Sequence, residues 1–298
     1  MNRGNIALFV PHVGCPCQCS FCDQRAITGG AKPPEPSQVW EAAQAGALRW
    51  GDRVSQMEIA FFGGSFTAIP REYMVALLEP AKKAVERWGY HGIRCSTRPD
   101  AIDGEILELL KACHTTAVEL GAQSMDEEVL RLNHRGHTAE DTRRAAELIQ
   151  QAGLELGLQM MTGLYGSTGE KDWETARQLI ALGPDTARIY PTIVLEHTEL
   201  AELYRKGSYR PQTLEEAVEL CGKLLSVFEN AGVKVIRMGL HAEEDVEHRR
   251  VAGPYHPAFR ELVESRVFLE KLLPELEKLG PGAYRVKVNP RSLSVGVG

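Results

Sequence analysis

Four cysteines, Cys15, Cys17, Cys19 and Cys22, lie within eight residues, directly after an apolar run from Ile6 to Val10. Thiolates are soft ligands, and this many in so short a stretch select zinc or an iron-sulfur centre. Neighbouring ligands in such a loop cannot all sit on one regular element, so the segment must wrap around what it binds. More than one triplet can be drawn from the four. A structural zinc knuckle or a four-thiolate cluster are competing readings, although zinc sites usually need a second ligand pair at a separated spacing, and no well-placed pair follows.

The other residues able to do chemistry follow apolar runs. Phe62-Gly63-Gly64-Ser65-Phe66-Thr67 comes after one of them. Adjacent glycines permit backbone conformations barred to other residues, leaving carbonyls and the Ser65 and Thr67 hydroxyls to face a ligand; a simple turn is the plainer account. In Cys95-Ser96-Thr97-Arg98-Pro99-Asp100, Pro99 ends the strand and sets Arg98 at the rim, where it pairs with an anion or with Asp100 or Asp103. Glu119 to Ser124 leads on to His134-Arg135-Gly136-His137, whose histidines suit capping or surface roles better than proton transfer. Gln159 precedes Met160 and Met161, a pair that suits core packing more than a cavity wall.

Elements that would position these residues alternate along the chain. Strands are expected near Ile6–Pro11, Met57–Phe62, Gly92–Thr97, Ala117–Gly121, Gly157–Met161, Ala187–Tyr190 and Val233–Met238. Helices are expected over Pro36–Trp50, Arg71–Trp88, Gly104–Ala112, Asp126–Leu132, Ala139–Ala152, Glu170–Leu182 and Leu214–Ala231. Strand-helix alternation means an α/β fold with parallel strands. A doubly wound sheet is the alternative, but evenly sized units favour a partial TIM-like barrel, and in both the chemistry gathers at the carboxyl ends of the strands. Residues 1–240 form this unit. From 241 to 298 the pattern changes to one helical stretch, Ala258–Leu279, and an edge strand over Tyr284–Pro290, read as a packing cap in preference to a lid. The sequence stops at Gly298 without a terminating helix, as a truncated piece would.

At 43% hydrophobic and 25% charged, the 298 residues describe an ordinary globular protein. With no apolar run of membrane-spanning length and no secretion signal, a cytoplasmic location is expected, with no membrane partner. There, seven cysteines imply reduced thiols or a cluster in place of disulfides. A net charge of −6 argues mildly against a broad nucleic-acid footprint but does not exclude RNA. Nothing fixes the oligomeric state.

Cys15, Cys19 and Cys22, with three and then two residues between them and Phe21 before the last, resemble the pattern of the radical S-adenosylmethionine (SAM) superfamily. That resemblance implies a 4Fe-4S cluster on those three thiolates. Its open iron would chelate SAM, which an electron from a flavodoxin- or ferredoxin-type donor would cleave to a 5'-deoxyadenosyl radical. It makes Gly63, Gly64, Ser65, Phe66 and Thr67 the glycine-rich SAM motif. A glutamate that binds the SAM ribose in many relatives is replaced here by Ser96, beside Arg98, and Gln159 falls near the ribose. The turn Gly121-Ala-Gln123-Ser124, followed by Arg135, is similar to that of oxygen-independent coproporphyrinogen III oxidases, where the arginine holds the SAM carboxylate. Arg188 to Thr198, with Tyr190 and Leu195, gives an aromatic and apolar wall suited to adenine.

Taken with Val10-Pro-His12 and Asp23-Gln24-Arg25, these motifs look like the radical SAM domain of the Elongator catalytic subunit family over Ile6 to Leu240. Members modify wobble uridine in tRNA. The resemblance therefore implies a tRNA-modifying radical SAM enzyme, short and without the family's acetyltransferase domain. A radical SAM enzyme for a small metabolite or tetrapyrrole is the alternative, and a non-catalytic iron-sulfur or zinc protein a third.

Overall fold

The computed structural model describes residues 4–10, 18–22, 32–240, 244–287 and 289. Cys15 and Cys17 lie outside them, as do His12 and residues 23–25. The strands are β1 (Gly4–Val10), β2 (Met57–Gly63), β3 (Gly92–Thr97), β4 (Thr115–Gln123), β5 (Glu155–Thr162), β6 (Thr186–Pro191), β7 (Val194–Leu195), β8 (Lys234–Met238) and β9 (Arg250–Ala252). Seven of them form one sheet in the order β1-β2-β3-β4-β5-β6-β8, and every neighbouring pair is parallel. Spatial order follows chain order without a reversal. A doubly wound sheet requires a switch point where the order reverses, so this winding builds a partial barrel.

The helices are α1 (Pro36–Trp50), α2 (Arg71–Trp88), α3 (Gly104–Ala112), α4 (Glu127–Leu132), α5 (Ala139–Gln151), α6 (Gly169–Ala181), α7 (Glu199–Arg205), α8 (Leu214–Asn230), α9 (Glu244–Arg249) and α10 (Phe259–Leu279). Their starts are written locally. Asp103 accepts from the Ile106 amide at 2.8 Å, and Asp126 from that of Val129 at 2.9 Å. Thr138 with Asp141, and Thr213 with Glu216, form capping boxes, each satisfying amides that a helix N-terminus leaves open.

Alternation along the strands divides the sheet into two faces. Ile59, Phe61, Ile93, Val118, Leu158 and Ile189 face outward into one continuous core with the helices, where Met74, Leu77, Leu110, Ile149 and Leu224 meet them. Their sequence neighbours Glu58, Phe62, Arg94, Gln159 and Arg188 face the concave side. Phe259, Val263 and Val267 of α10 join the same core beside α8, and Arg260 donates to the Val235 carbonyl of edge strand β8 at 2.8 Å. The last sheet strand is thus covered by helix.

One expectation needs revision. Residues 281–287 form no strand: they are exposed, and among the described residues no strand lies alongside to satisfy their backbone. The antiparallel pair β7 and β9 and the short α7, by contrast, have no strong period and were not anticipated. Among the described residues no helix is long and apolar enough to cross a membrane.

Candidate functional site

Inside the curve of the sheet lies a cavity of about 1810 Å³, lined by residues from β1 to β8 and by Phe21 and Cys22. At its carboxyl rim stand Gly63, Gly64, Ser65, Ser96, Arg98, Gln123, Arg135, Gln159 and Tyr190. Segments far apart in the chain therefore converge where parallel-sheet folds place their chemistry.

The Cys19–Cys22 turn is fastened from two sides. The Ser20 amide donates to the Asn133 carbonyl at 3.2 Å, and its hydroxyl to Asn133 Oδ1 at 2.7 Å. From α7, the Leu200 amide donates to the Ser20 carbonyl at 2.8 Å. Asn133 is fully buried, and its Nδ2 donates to the carbonyls of Val129 and Tyr165 at 2.7 and 2.9 Å. Satisfying both ends of a buried amide fixes its rotamer, so it can hold the turn.

Asn133 caps α4 at its C-terminus. His134 follows with φ 53°, its amide bonded to the Arg131 carbonyl, and the Arg135 amide returns to that of Leu130. This closing pattern sets the direction of Arg135. A residue without glycine's freedom is held in the left-handed region, and the imidazole of His134 lies 2.8 Å from Glu199 at the surface. Arg135 itself is buried; its Nη1 donates to Cys19 Sγ at 3.2 Å and its Nη2 to the Gly121 carbonyl at 2.7 Å. A Cβ at Gly121 would sit 2.9 Å from Gln123 Nε2, so glycine here leaves room for the Gln123 amide beside Arg135.

The glycine-rich loop works differently from the expectation. Ser65 and Thr67 hydroxyls are buried in contacts with the Thr97 hydroxyl at 2.9 and 2.6 Å; Ser65 also accepts from the Arg98 amide, and Thr67 donates to the Ala101 carbonyl. They join the β2 and β3 loops and leave the cavity to the backbone. Gly63, at φ 110°, passes so close to β1 that a Cβ would come 3.0 Å from the Val10 carbonyl oxygen. Phe66 stacks on Phe61 in the outer core, ring centroids 4.5 Å apart, and it and Thr67 do not line the cavity. Leu195 packs with Ile193 and Val246 in a side cluster, also away from the cavity wall. Arg98 reaches the rim, but its guanidinium is forked onto Asp100 with both contacts at 2.8 Å, the salt bridge foreseen as the alternative.

Below the rim is a buried ionic network that the sequence reading did not assemble. Arg94 forks onto Glu58 at 2.8 and 3.3 Å and reaches Glu119 at 3.1 Å. Arg188 grips the same Glu119 at 2.6 and 2.8 Å. Gln159 Nε2 donates to Glu119 at 3.3 Å and to Ser96 Oγ at 3.4 Å. Burial acts against the charge of Arg188, but Glu119 beside it more than offsets this and raises its pKa. Burial also pushes the Tyr190 phenol up, so it presents a neutral hydroxyl. Arg188 lies over the Phe62 ring at 5.1 Å, which gives the floor one aromatic wall. The signal was present in the sequence as charges at inward positions of successive strands.

His137 is held as a neutral base. Burial first, then the neighbouring Arg135 and Arg98, lower its pKa to about 4, and its Nε2 donates to the Ala122 carbonyl at 3.2 Å. It takes no part in the cavity wall.

Among the buried atoms on cavity-lining residues that lack a hydrogen-bond partner among the described residues are Arg135 Nε, a donor, and Gln123 Oε1, an acceptor. Such groups are costly unless something pairs with them. A carboxylate would suit the donor and an ammonium the acceptor, and the amino-acid end of SAM carries both groups. Cys22 on the same wall, with Cys19 beside Arg135, supplies donors of the type an iron-sulfur cluster takes.

The model of the Radical SAM superfamily matches residues 9–180, and that of the Radical SAM C-terminal domain residues 184–268. A tRNA uridine(34) acetyltransferase from Methanocaldococcus jannaschii is 33% identical over 198 residues, covering 59% of this chain and 36% of that protein. The chain spans between about a third and a half of the length of the curated relatives it matches first. Among solved structures, an N-terminally truncated archaeal Elp3 from Methanocaldococcus infernus superposes with a TM-score of 0.71 at 25% identity, covering 91% of this chain and 63% of that one. Coproporphyrinogen III oxidase from Escherichia coli shares the fold, at a TM-score of 0.53 and 16% identity over 78% of this chain and 54% of its own. With its parallel half-barrel and a family match over more than half its length, the chain belongs to the radical SAM superfamily, enzymes whose cofactors are a 4Fe-4S cluster and S-adenosylmethionine.

Proposed function

We propose that this protein modifies tRNA by radical SAM chemistry. The likeness to the archaeal Elp3 over 91% of the chain carries this reading, because it spans the C-terminal region as well as the cofactor half. Relatives named for tRNA uridine(34) acetylation support the same substrate class. The activity proposed is hydrogen abstraction from the RNA, not acetyl transfer.

When bound together, the cluster and SAM supply a primary carbon radical able to abstract hydrogen from an unreactive C–H bond. The chain's own task is to hold, orient and exclude water. Cys15, Cys19 and Cys22 are the proposed cluster ligands. Arg135, on the cavity wall, is the residue proposed to hold the SAM carboxylate, and its permanently charged guanidinium is suited to that contact. Gln123 is proposed to meet the ammonium, and the backbone of Gly63 and Gly64 lines the same cavity. Ser96, Gln159 and Tyr190 provide hydroxyl and amide groups for the ribose and adenine. The reductant is an electron donor of flavodoxin or ferredoxin type.

The reading is tested by comparing tRNA nucleosides from cells with and without the gene by mass spectrometry. A modified nucleoside should disappear from the deletion strain and return with the wild-type gene. An unchanged nucleoside profile alongside an altered small-metabolite profile would reject RNA as the substrate.

A further inference from the structure

Resting on that assignment of Cys19 as a cluster ligand, we infer that Arg135 also sets the reduction potential of the cluster through the Cys19 sulfur. The motivating contact is direct. Arg135 Nη1 donates to Cys19 Sγ at 3.2 Å, while Nη2 is tied to the Gly121 carbonyl at 2.7 Å. Two features make it a fixed contact and not a passing one. The backbone of Arg135 is closed onto α4 by its amide bond to the Leu130 carbonyl. The sulfur side is held by Asn133, which clamps the adjacent Ser20 through two hydrogen bonds. Both partners of the contact are thus anchored by one turn, residues 133–135.

Reduction adds one electron to the cluster and no proton, so the reduced form carries one more negative charge. A guanidinium beside a ligand sulfur stabilises that charge, and a hydrogen bond to the sulfur withdraws density from the iron; both raise the potential. Arg135 is only 7% exposed, so water does little to screen the effect. The contact with the sulfur engages Nη1 and that with Gly121 Nη2, while Nε has no partner among the described residues. Arg135 is therefore a positioning and tuning residue in the SAM-free protein as well.

The test is an EPR-monitored redox titration of the anaerobically reconstituted full chain without SAM, for wild type, Arg135→Lys and Arg135→Gln. At the wild-type midpoint, the ratio of oxidised to reduced cluster in Arg135→Gln should rise about tenfold, equivalent to a potential about 59 mV lower for one electron. Arg135→Lys, which keeps the charge but not the fork, should fall between. Equal potentials in all three proteins would overturn the inference and leave the proposed function standing. Loss of the cluster from both variants, with wild-type circular dichroism, would also overturn it, because a tuning residue leaves the cluster in place. A wild-type protein that takes up no cluster would instead reject the ligand assignment on which the inference rests.

Discussion

Glu119→Gln should be among the most damaging single substitutions in the chain, because the residue is 1% exposed in the middle of β4. Glu119 is the carboxylate gripped by Arg188 at 2.6 and 2.8 Å, and it also receives Arg94 at 3.1 Å. Arg94 keeps Glu58 when Glu119 is neutralised, whereas Arg188 is left buried without the carboxylate it grips. Breaking a buried pair by removing one partner costs about 3–5 kcal/mol. With a urea slope of about 3 kcal/mol/M, the midpoint should fall by about 1–1.7 M. Equilibrium urea unfolding at pH 7, followed by circular dichroism, measures this. The double variant Glu119→Gln/Arg188→Met removes both charges and should recover most of the loss, to within about 1 kcal/mol of wild type. A Glu119→Gln protein within 0.5 kcal/mol of wild type, or a double variant as unstable as the sum of the singles, would refute the reasoning.

His137 gives a pH signature. Its folded pKa of about 4 lies below the unfolded value near 6.5, so the unfolded state binds the proton first as the solution is acidified. Stability from this group is complete above pH 6.5 and is lost as pH falls towards 4, by roughly 3 kcal/mol. Burial raises Asp172 to about 6, which works in the opposite direction over a similar window and mutes the wild-type profile. His137→Gln, which can still donate to the Ala122 carbonyl, should therefore gain stability relative to wild type between pH 6.5 and 4; parallel unfolding curves at pH 7 and 4.5 would contradict this. Asn133→Ala removes the bonds to Ser20, Val129 and Tyr165 and should cost about 2–4 kcal/mol, with iron retained less well on gel filtration. Full iron retention with unchanged stability would mean the turn is held by other contacts.

Much of the frame was legible because its signals are local. The run from Met57 to Phe62, the amphipathic stretch from Arg71 to Trp88 and the Thr138 and Thr213 caps each declare their element without tertiary help. The inward charges were harder to interpret. Glu58, Arg94, Glu119 and Arg188 look like breaks in apolar strands until the curl of the sheet brings four strands to one centre. Side-chain direction was also beyond pattern: Ser65 and Thr67 sit in a glycine-rich loop, yet Thr97 from the next strand draws their hydroxyls away from the cavity. Likewise, the chain position of Arg135 suggested a carboxylate contact, but its approach to Cys19 depends on a turn whose geometry only the fold specifies.

On the reading proposed above, one cavity presents a cluster with an iron accessible to SAM. EPR of the reduced, reconstituted protein with and without SAM tests it most directly, with iron analysis of the same samples. Wild type and Cys17→Ala should carry the cluster and change spectrum on adding SAM, while replacing Cys15, Cys19 and Cys22 together by Ala should abolish both the iron and the signal. Iron retained in that triple variant, or a wild-type spectrum indifferent to SAM, would contradict the claim.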